Sequence, residues 1–75
     1  MMKRHRALSA LGLNVRKRRE SRRFTQEALA ERADLDPTYI SGIERGVRNP
    51  SILSLVRIAA ALDTPISELC QSIDS

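Results

Sequence analysis

The side chains able to do chemistry in this 75-residue sequence are chiefly cations and hydroxyls. Catalysis needs other company. No nucleophile stands beside a general base, the carboxylates are not clustered, and no glycine-rich loop is present to cradle a phosphate. His5 lies in a basic stretch with no second ligand nearby, so a loose phosphate contact is a better expectation than metal binding or catalysis. Cys70 is the only cysteine, which leaves no disulfide staple and no zinc cluster and points to a reducing compartment. No cofactor, metal or small-molecule ligand is expected.

The cations are unevenly spread. Residues 1–23 hold Lys3, Arg4, Arg6, Arg16, Lys17, Arg18, Arg19, Arg22 and Arg23 against Glu20 alone, a balance of +8, while residues 24–75 come to −4. Such a split suits one face that meets a polyanion and a remainder that keeps the protein dissolved. The plainer alternative is a solvated basic helix without a partner. Binding to a membrane surface fits poorly, because the basic segment has a weak apolar face and the chain has no Trp. No apolar run approaches the ~20 residues needed to span a bilayer, and residues 1–15 lack the features of a signal peptide. A cytoplasmic, nucleoid-associated protein is expected.

The elements that must position these groups are helices. Residues 1–8 read as a flexible basic arm and residues 9–75 as one domain. A first helix is expected from Ser9 or Ala10 to about Arg22, with Leu11 and Val15 inward and Gly12 weakening its first turn. Thr25 caps a second helix over 26–33. Asp36 caps a third, with Pro37 at its first position, Tyr39, Ile40 and Ile43 as its apolar stripe, and Gly46 ending it. Ala30 is small enough for two helix axes to cross closely, and Leu29, Ala33, Leu35, Ile40 and Ile43 face one another across the turn. The outer face of the third helix then projects with Thr38, Ser41, Gly42 and Arg45, none needed for the core. Over about 25–45 this is a helix-turn-helix arrangement, whose second helix enters the DNA major groove.

Ser51 caps a fourth helix carrying Ile52, Leu55, Ile58, Ala59 and Leu62 inward, ended by Asp63. Thr64 and Pro65 open a fifth, with Ile66, Leu69, Cys70 and Ile73 as its stripe. These last helices occupy about 51–73. Phe24 is expected to fill the core beneath the first interhelical turn.

The run TQEALAERADLDPTYISGIERGVRNPS resembles the Xre/Cro-type helix-turn-helix family. The pattern is TQ-x-x-LA at its start, IxxIExG through the second helix and RNPS after it, and the likeness covers roughly residues 10–70. TYISGIERG is most similar to controller proteins of restriction–modification systems. The resemblance implies an all-α, compact five-helix bundle of the lambda-repressor-like DNA-binding type. Two positions depart from the family: Asp34 stands where Gly is usual in the turn, and Arg23 where Gly often precedes the first motif helix. A left-handed backbone there costs stability.

The family positions imply roles. Thr38, Tyr39, Ser41 and Arg45 would read bases, although Tyr39 is equally suited to half-burial with only its hydroxyl wet. Gln26, Arg22, Arg23, Arg48 and Asn49 would hold the DNA backbone. Arg19 and Glu44 would form a structural pair tying the first helix to the third. Pro37 stands where controller-like sequences often carry an Arg that reads guanine, so a different or shorter half-site is expected. Ile66, Leu69 and Ile73 would serve dimerisation, or alternatively close the monomer core.

The implied function is a sequence-specific transcriptional regulator binding double-stranded DNA as a homodimer on paired half-sites, a restriction–modification controller first and a phage-type repressor second. An antitoxin-like interaction module that autoregulates is the alternative of another class. The chain carries no additional segment to wrap a toxin.

Overall fold

Five helices follow one another in a computed structural model that describes residues 5–74: α1 (Arg6–Ser21), α2 (Gln26–Ala33), α3 (Pro37–Glu44), α4 (Ile52–Ala61) and α5 (Ile66–Leu69). No strand occurs among the described residues. α1 packs on α3, α2 on both α3 and α4, and α5 on α1 and α4. The core lies between these layers, where Val15, Leu29, Ile40, Ile43, Ile58, Leu62 and Leu69 are fully enclosed.

Three helices start where their caps stand. The side chain of Thr25 accepts from the Ala28 N–H at 3.0 Å, that of Asp36 from the Thr38 N–H at 2.8 Å, and that of Ser51 from the Ser54 N–H at 3.1 Å. α1 starts earlier than expected. The His5 Nδ1 accepts from the Ala7 N–H at 3.1 Å, so His5 caps the helix, and residues 6–8 are helical instead of part of an arm. The remaining arm positions, 1–4, lie outside the described residues.

The first four helices end alike. Each closes on a left-handed residue: Arg23 (φ 60°), Asp34 (φ 56°), Gly46 (φ 75°) and Asp63 (φ 51°). The next N–H then reaches back to a carbonyl five residues earlier: Phe24 to Arg19, Leu35 to Ala30, Val47 to Gly42 and Thr64 to Ala59, at 2.9–3.2 Å. These bonds satisfy carbonyls that the helix leaves without partners. Only one of the four positions is glycine.

Gly12 has a packing role that propensity alone does not reveal. Its Cα rests on the end of α3, where an added Cβ would stand 2.3 Å from the carbonyl oxygen of Ile43. The glycine lets two helices touch through their backbones.

The last two helices depart from expectation. α4 turns Leu55, Ile58, Ala59 and Leu62 inward, but Ile52 is 66% exposed, with Leu53 at 68% and Val56 at 50% beside it. ILSLVRIAAA carries more apolar residues than one inward face can use. α5 is a short helix that stops at Leu69, and turns continue through 70–74. Pro65 occupies its cap position without a side-chain bond, while the Thr64 hydroxyl donates to Glu68 at 3.3 Å. Leu69 is completely buried in the single chain, so it closes the monomer core and has no surface to give a second copy. Ile66 and Ile73 are half-buried against that core. Asn14 Nδ2 fastens the tail to α1 by donating to the carbonyls of Leu69 (2.8 Å) and Gln71 (2.9 Å). No helix among the described residues is long and apolar enough to cross a membrane.

Candidate nucleic-acid interface

α2, its turn and α3 are held on α1 by a polar network. Arg19 Nε donates to Glu44 Oε2 at 2.7 Å and its Nη2 to Oε1 at 3.0 Å, while Nη1 donates to the Phe24 carbonyl at 2.8 Å. The Glu44 side chain is 3% exposed and that of Arg19 12%. The bond to Glu44 raises the Arg19 pKa further, and desolvation opposes it only in part. Gln26 Nε2 donates to the same Glu44 Oε1 at 3.0 Å. The Gln26 amide nitrogen thus commits one of its two N–H donors to Glu44. The backbone N–H groups at the start of α2 stand beside it as donors for an anion.

The outward face of α3 carries Thr38 and Arg45, both exposed, with Ser41 half-buried between them. Gly42 was expected to be open on this face and is not. The stem of Arg48 crosses it so closely that a Cβ on Gly42 would lie 2.4 Å from the Arg48 Cγ. This carries the Arg48 guanidinium to 5.8 Å from the centre of the Tyr39 ring. A cation from the following loop is thus laid along the recognition helix. Asn49 stays exposed in that loop.

Tyr39 adopts the half-buried one of its two expected placements. Its ring is half-buried, its hydroxyl donates to Ser54 Oγ at 3.3 Å, and it stands 3.4 Å from the Ser51 N–H as acceptor. The hydroxyl is engaged by the start of α4 and joins α3 to it. Asp36, by contrast, gains a role beyond capping. Its Oδ1 accepts from both the backbone N–H of Thr38 (2.8 Å) and the Thr38 hydroxyl (2.5 Å). Those bonds, the hydroxyl's first, hold its carboxyl below the ordinary carboxylate range, with the charge of Arg48 helping.

Four of the seven described cations of the basic first segment pair with the chain's own acids. Arg16 pairs with Glu20 (3.2 Å), Arg18 with Glu68 (2.6 Å) and Arg22 with Asp63 (3.6 Å), besides Arg19 with Glu44. Arg22 also donates to the Asp63 carbonyl at 3.3 Å, which ties this exposed side chain to the α4–α5 turn. Arg32 is stacked 4.5 Å from the Phe24 ring centre. Arg6 and Lys17 on α1, and Arg23, Arg45 and Arg48 beyond it, form no ion pair among the described residues. Net charge in sequence therefore overstated α1 and understated the α3 face. A (i, i+4) acid reveals Arg16–Glu20 in sequence; the other pairs are long-range and leave no local signal. Among the described residues there is no group of three metal-ligand side chains.

Known proteins place this architecture. The helix-turn-helix family model matches residues 15–69. The control protein C.MunI of Mycoplasma sp. is 44% identical over 57 residues, which cover 76% of this chain and 77% of that protein. The crystal structure of the restriction–modification controller protein C.AhdI from Aeromonas hydrophila is 39% identical and superposes with a TM-score of 0.82, covering 83% of this chain and 94% of that one. The controller protein C.Esp1396I, solved as a tetramer in complex with its natural 35 base-pair operator, is also 39% identical, with a TM-score of 0.79 over 89% of this chain and 88% of that one. The chain belongs to the Xre/Cro-type helix-turn-helix family of DNA-binding regulators, and within it is most like restriction–modification controller proteins.

Proposed function

We propose that this helix-turn-helix protein is a sequence-specific transcriptional regulator, not an enzyme, which binds duplex DNA in the cytoplasm as a homodimer and controls the expression of a restriction–modification system. The observation that carries this is the outward face of α3. It presents Thr38, Ser41 and Arg45 together, Arg48 is laid beside them, and the Arg19–Glu44–Gln26 network holds the helix rigidly on α1.

Thr38 and Ser41 read base edges near the start of the helix, and Arg45 reaches a flanking base or phosphate. Arg48, Asn49, Arg23 and the open N–H groups at the start of α2 hold phosphates, each neutralised phosphate steepening the salt dependence by about 0.9 in log–log slope. Two copies place their α3 helices one DNA turn apart, about 34–36 Å, or a multiple of it. The C.Esp1396I tetramer on its operator supports paired sites of this kind.

The surface that joins the copies is the outward side of α4. Ile52, Leu53 and Val56 leave a contiguous apolar strip, whereas Leu69 is spent on the monomer. A second copy is the natural occupant, because reading paired half-sites requires a two-fold contact that repeats one patch on itself.

Selection of bound duplexes from a random pool at physiological salt tests the function. An enriched inverted repeat is the expected result, and Thr38→Ala with Ser41→Ala should erase site preference while sparing weak nonspecific binding. Salt-sensitive bulk binding with no enriched sequence would refute the reading.

A further inference from the structure

The Asp36–Thr38 bond carries an inference about which base Thr38 selects, and it rests on the reading that α3 enters the major groove. A hydroxyl has one proton and two lone pairs, so an unbound Thr serves equally as donor or acceptor. Thr38 is not unbound. Its Oγ1 lies 2.5 Å from Asp36 Oδ1, the same oxygen that accepts its backbone N–H at 2.8 Å. An ionised carboxylate can only accept, and this one is held below the ordinary carboxylate range by those bonds. The shared proton therefore belongs to Thr38 and points at Asp36. Pro37, between them, fixes the start of the helix and keeps the two side chains in register.

We propose that Asp36 sets the polarity of Thr38, so that Thr38 meets DNA as an acceptor and a methyl group and selects a base offering an exocyclic amino group, adenine N6 or cytosine N4. A base carbonyl, thymine O4 or guanine O6, would have to win the proton from a charge-assisted bond, and would also face the Asp36 charge. Asp36 is then a positioning residue for specificity as well as a cap. Ser41 differs: its hydroxyl has no bond to Asp36 and retains both polarities.

The test has two stages. Random-pool selection with the wild-type protein and with Thr38→Val maps the position whose preference depends on the hydroxyl. Binding is then measured by fluorescence anisotropy on duplexes altered only there. In one the amino group is removed (purine for adenine, or 2-pyrimidinone for cytosine). In the other the paired carbonyl oxygen is removed (5-methyl-2-pyrimidinone for thymine, or 2-aminopurine for guanine). Comparing each loss with that of Thr38→Val cancels the weakened base pair.

Removal of the amino group should cost the wild-type protein about three- to tenfold in affinity beyond its cost to Thr38→Val, the range of one hydrogen bond. Removal of the carbonyl oxygen should cost both proteins equally. Asp36→Gly, a tolerated cap, should lose the distinction between the two duplexes while still melting cooperatively, a result that a purely structural role for Asp36 would not produce. A wild-type penalty confined to the carbonyl-deleted duplex, or a Thr38→Val protein with unchanged preference at every position, would overturn the assignment and leave the regulator intact. Failure of the wild-type protein to enrich any site would overturn the regulator itself, and the assignment with it.

Discussion

The carbonyl oxygen of Ile43 bears directly on Gly12: a Cβ there would lie 2.3 Å from it and 2.6 Å from the carbonyl oxygen of Glu44. Both obstacles are backbone, at the end of the recognition helix, and neither can rotate away. In an ordinary helix Gly→Ala stabilises by about 1 kcal/mol. Here the sign should reverse. Gly12→Ala is expected to lower stability by ~1–3 kcal/mol, the cost of overpacking, measured as a fall in the urea midpoint. A raised midpoint would mean that α1 and α3 are less closely apposed.

Glu44 neutralises one part-buried cation and also accepts from Gln26. Glu44→Ala leaves the Arg19 guanidinium with only the Phe24 carbonyl, and should cost about 1–3 kcal/mol, the penalty of leaving a part-buried polar group without its partner. Replacing both partners with apolar residues, Arg19→Met with Glu44→Leu, should recover much of that loss, because no uncompensated charge remains. Denaturant melts of the two variants provide the comparison; equal losses would point to packing rather than charge.

Arg23 holds a left-handed backbone with φ of 60°. A side chain in that region costs ~1–2 kcal/mol that glycine avoids. Arg23→Gly should therefore raise the melting temperature, by several degrees for a domain of this size at about 4–8 °C per kcal/mol. Gly46→Ala should lower it, since the left-handed position is also crowded by Ser9 at 2.9 Å. A lower melting temperature for Arg23→Gly would show that the arginine side chain stabilises more than its backbone strain costs.

Leu53→Glu with Val56→Lys places charges on the outward side of α4 without touching the core side, since both residues are at least half exposed. Sedimentation should show the wild-type protein associating and the variant monomeric, with its helical circular dichroism intact. Unchanged association would move the contact elsewhere, and Ile73→Glu would then examine the tail.

Much of the molecule is local and was readable as such. Thr25, Asp36 and Ser51 announce three helix starts because a cap acts within three residues of itself. Gly46, Asp34 and Asp63 mark helix ends for the same reason, and the spacing of Leu29, Ala33, Ile40 and Ile43 reports which faces meet. His5 escaped notice because an imidazole seldom caps. The site was legible as a stretch of chain but not as a set of directions. Thr38, Ser41 and Arg45 can be placed on one face by counting. Whether Tyr39 points outward or to α4, whether Gln26 turns to solvent or to Glu44, and where Arg22 aims all depend on partners 15–41 residues away.

The sequence by itself determined the order of the helices, the caps of three of them and the exposed hydroxyl and arginine face, because those follow from short-range periodicity and backbone bonding. Only the tertiary structure decided that Arg18 and Arg19 of the first helix are paired with Glu68 and Glu44, and that Leu69 belongs to the monomer while α4 keeps an open apolar side. Each of these depends on which charges and surfaces remain unmatched after packing, and that balance is struck between residues far apart in the chain.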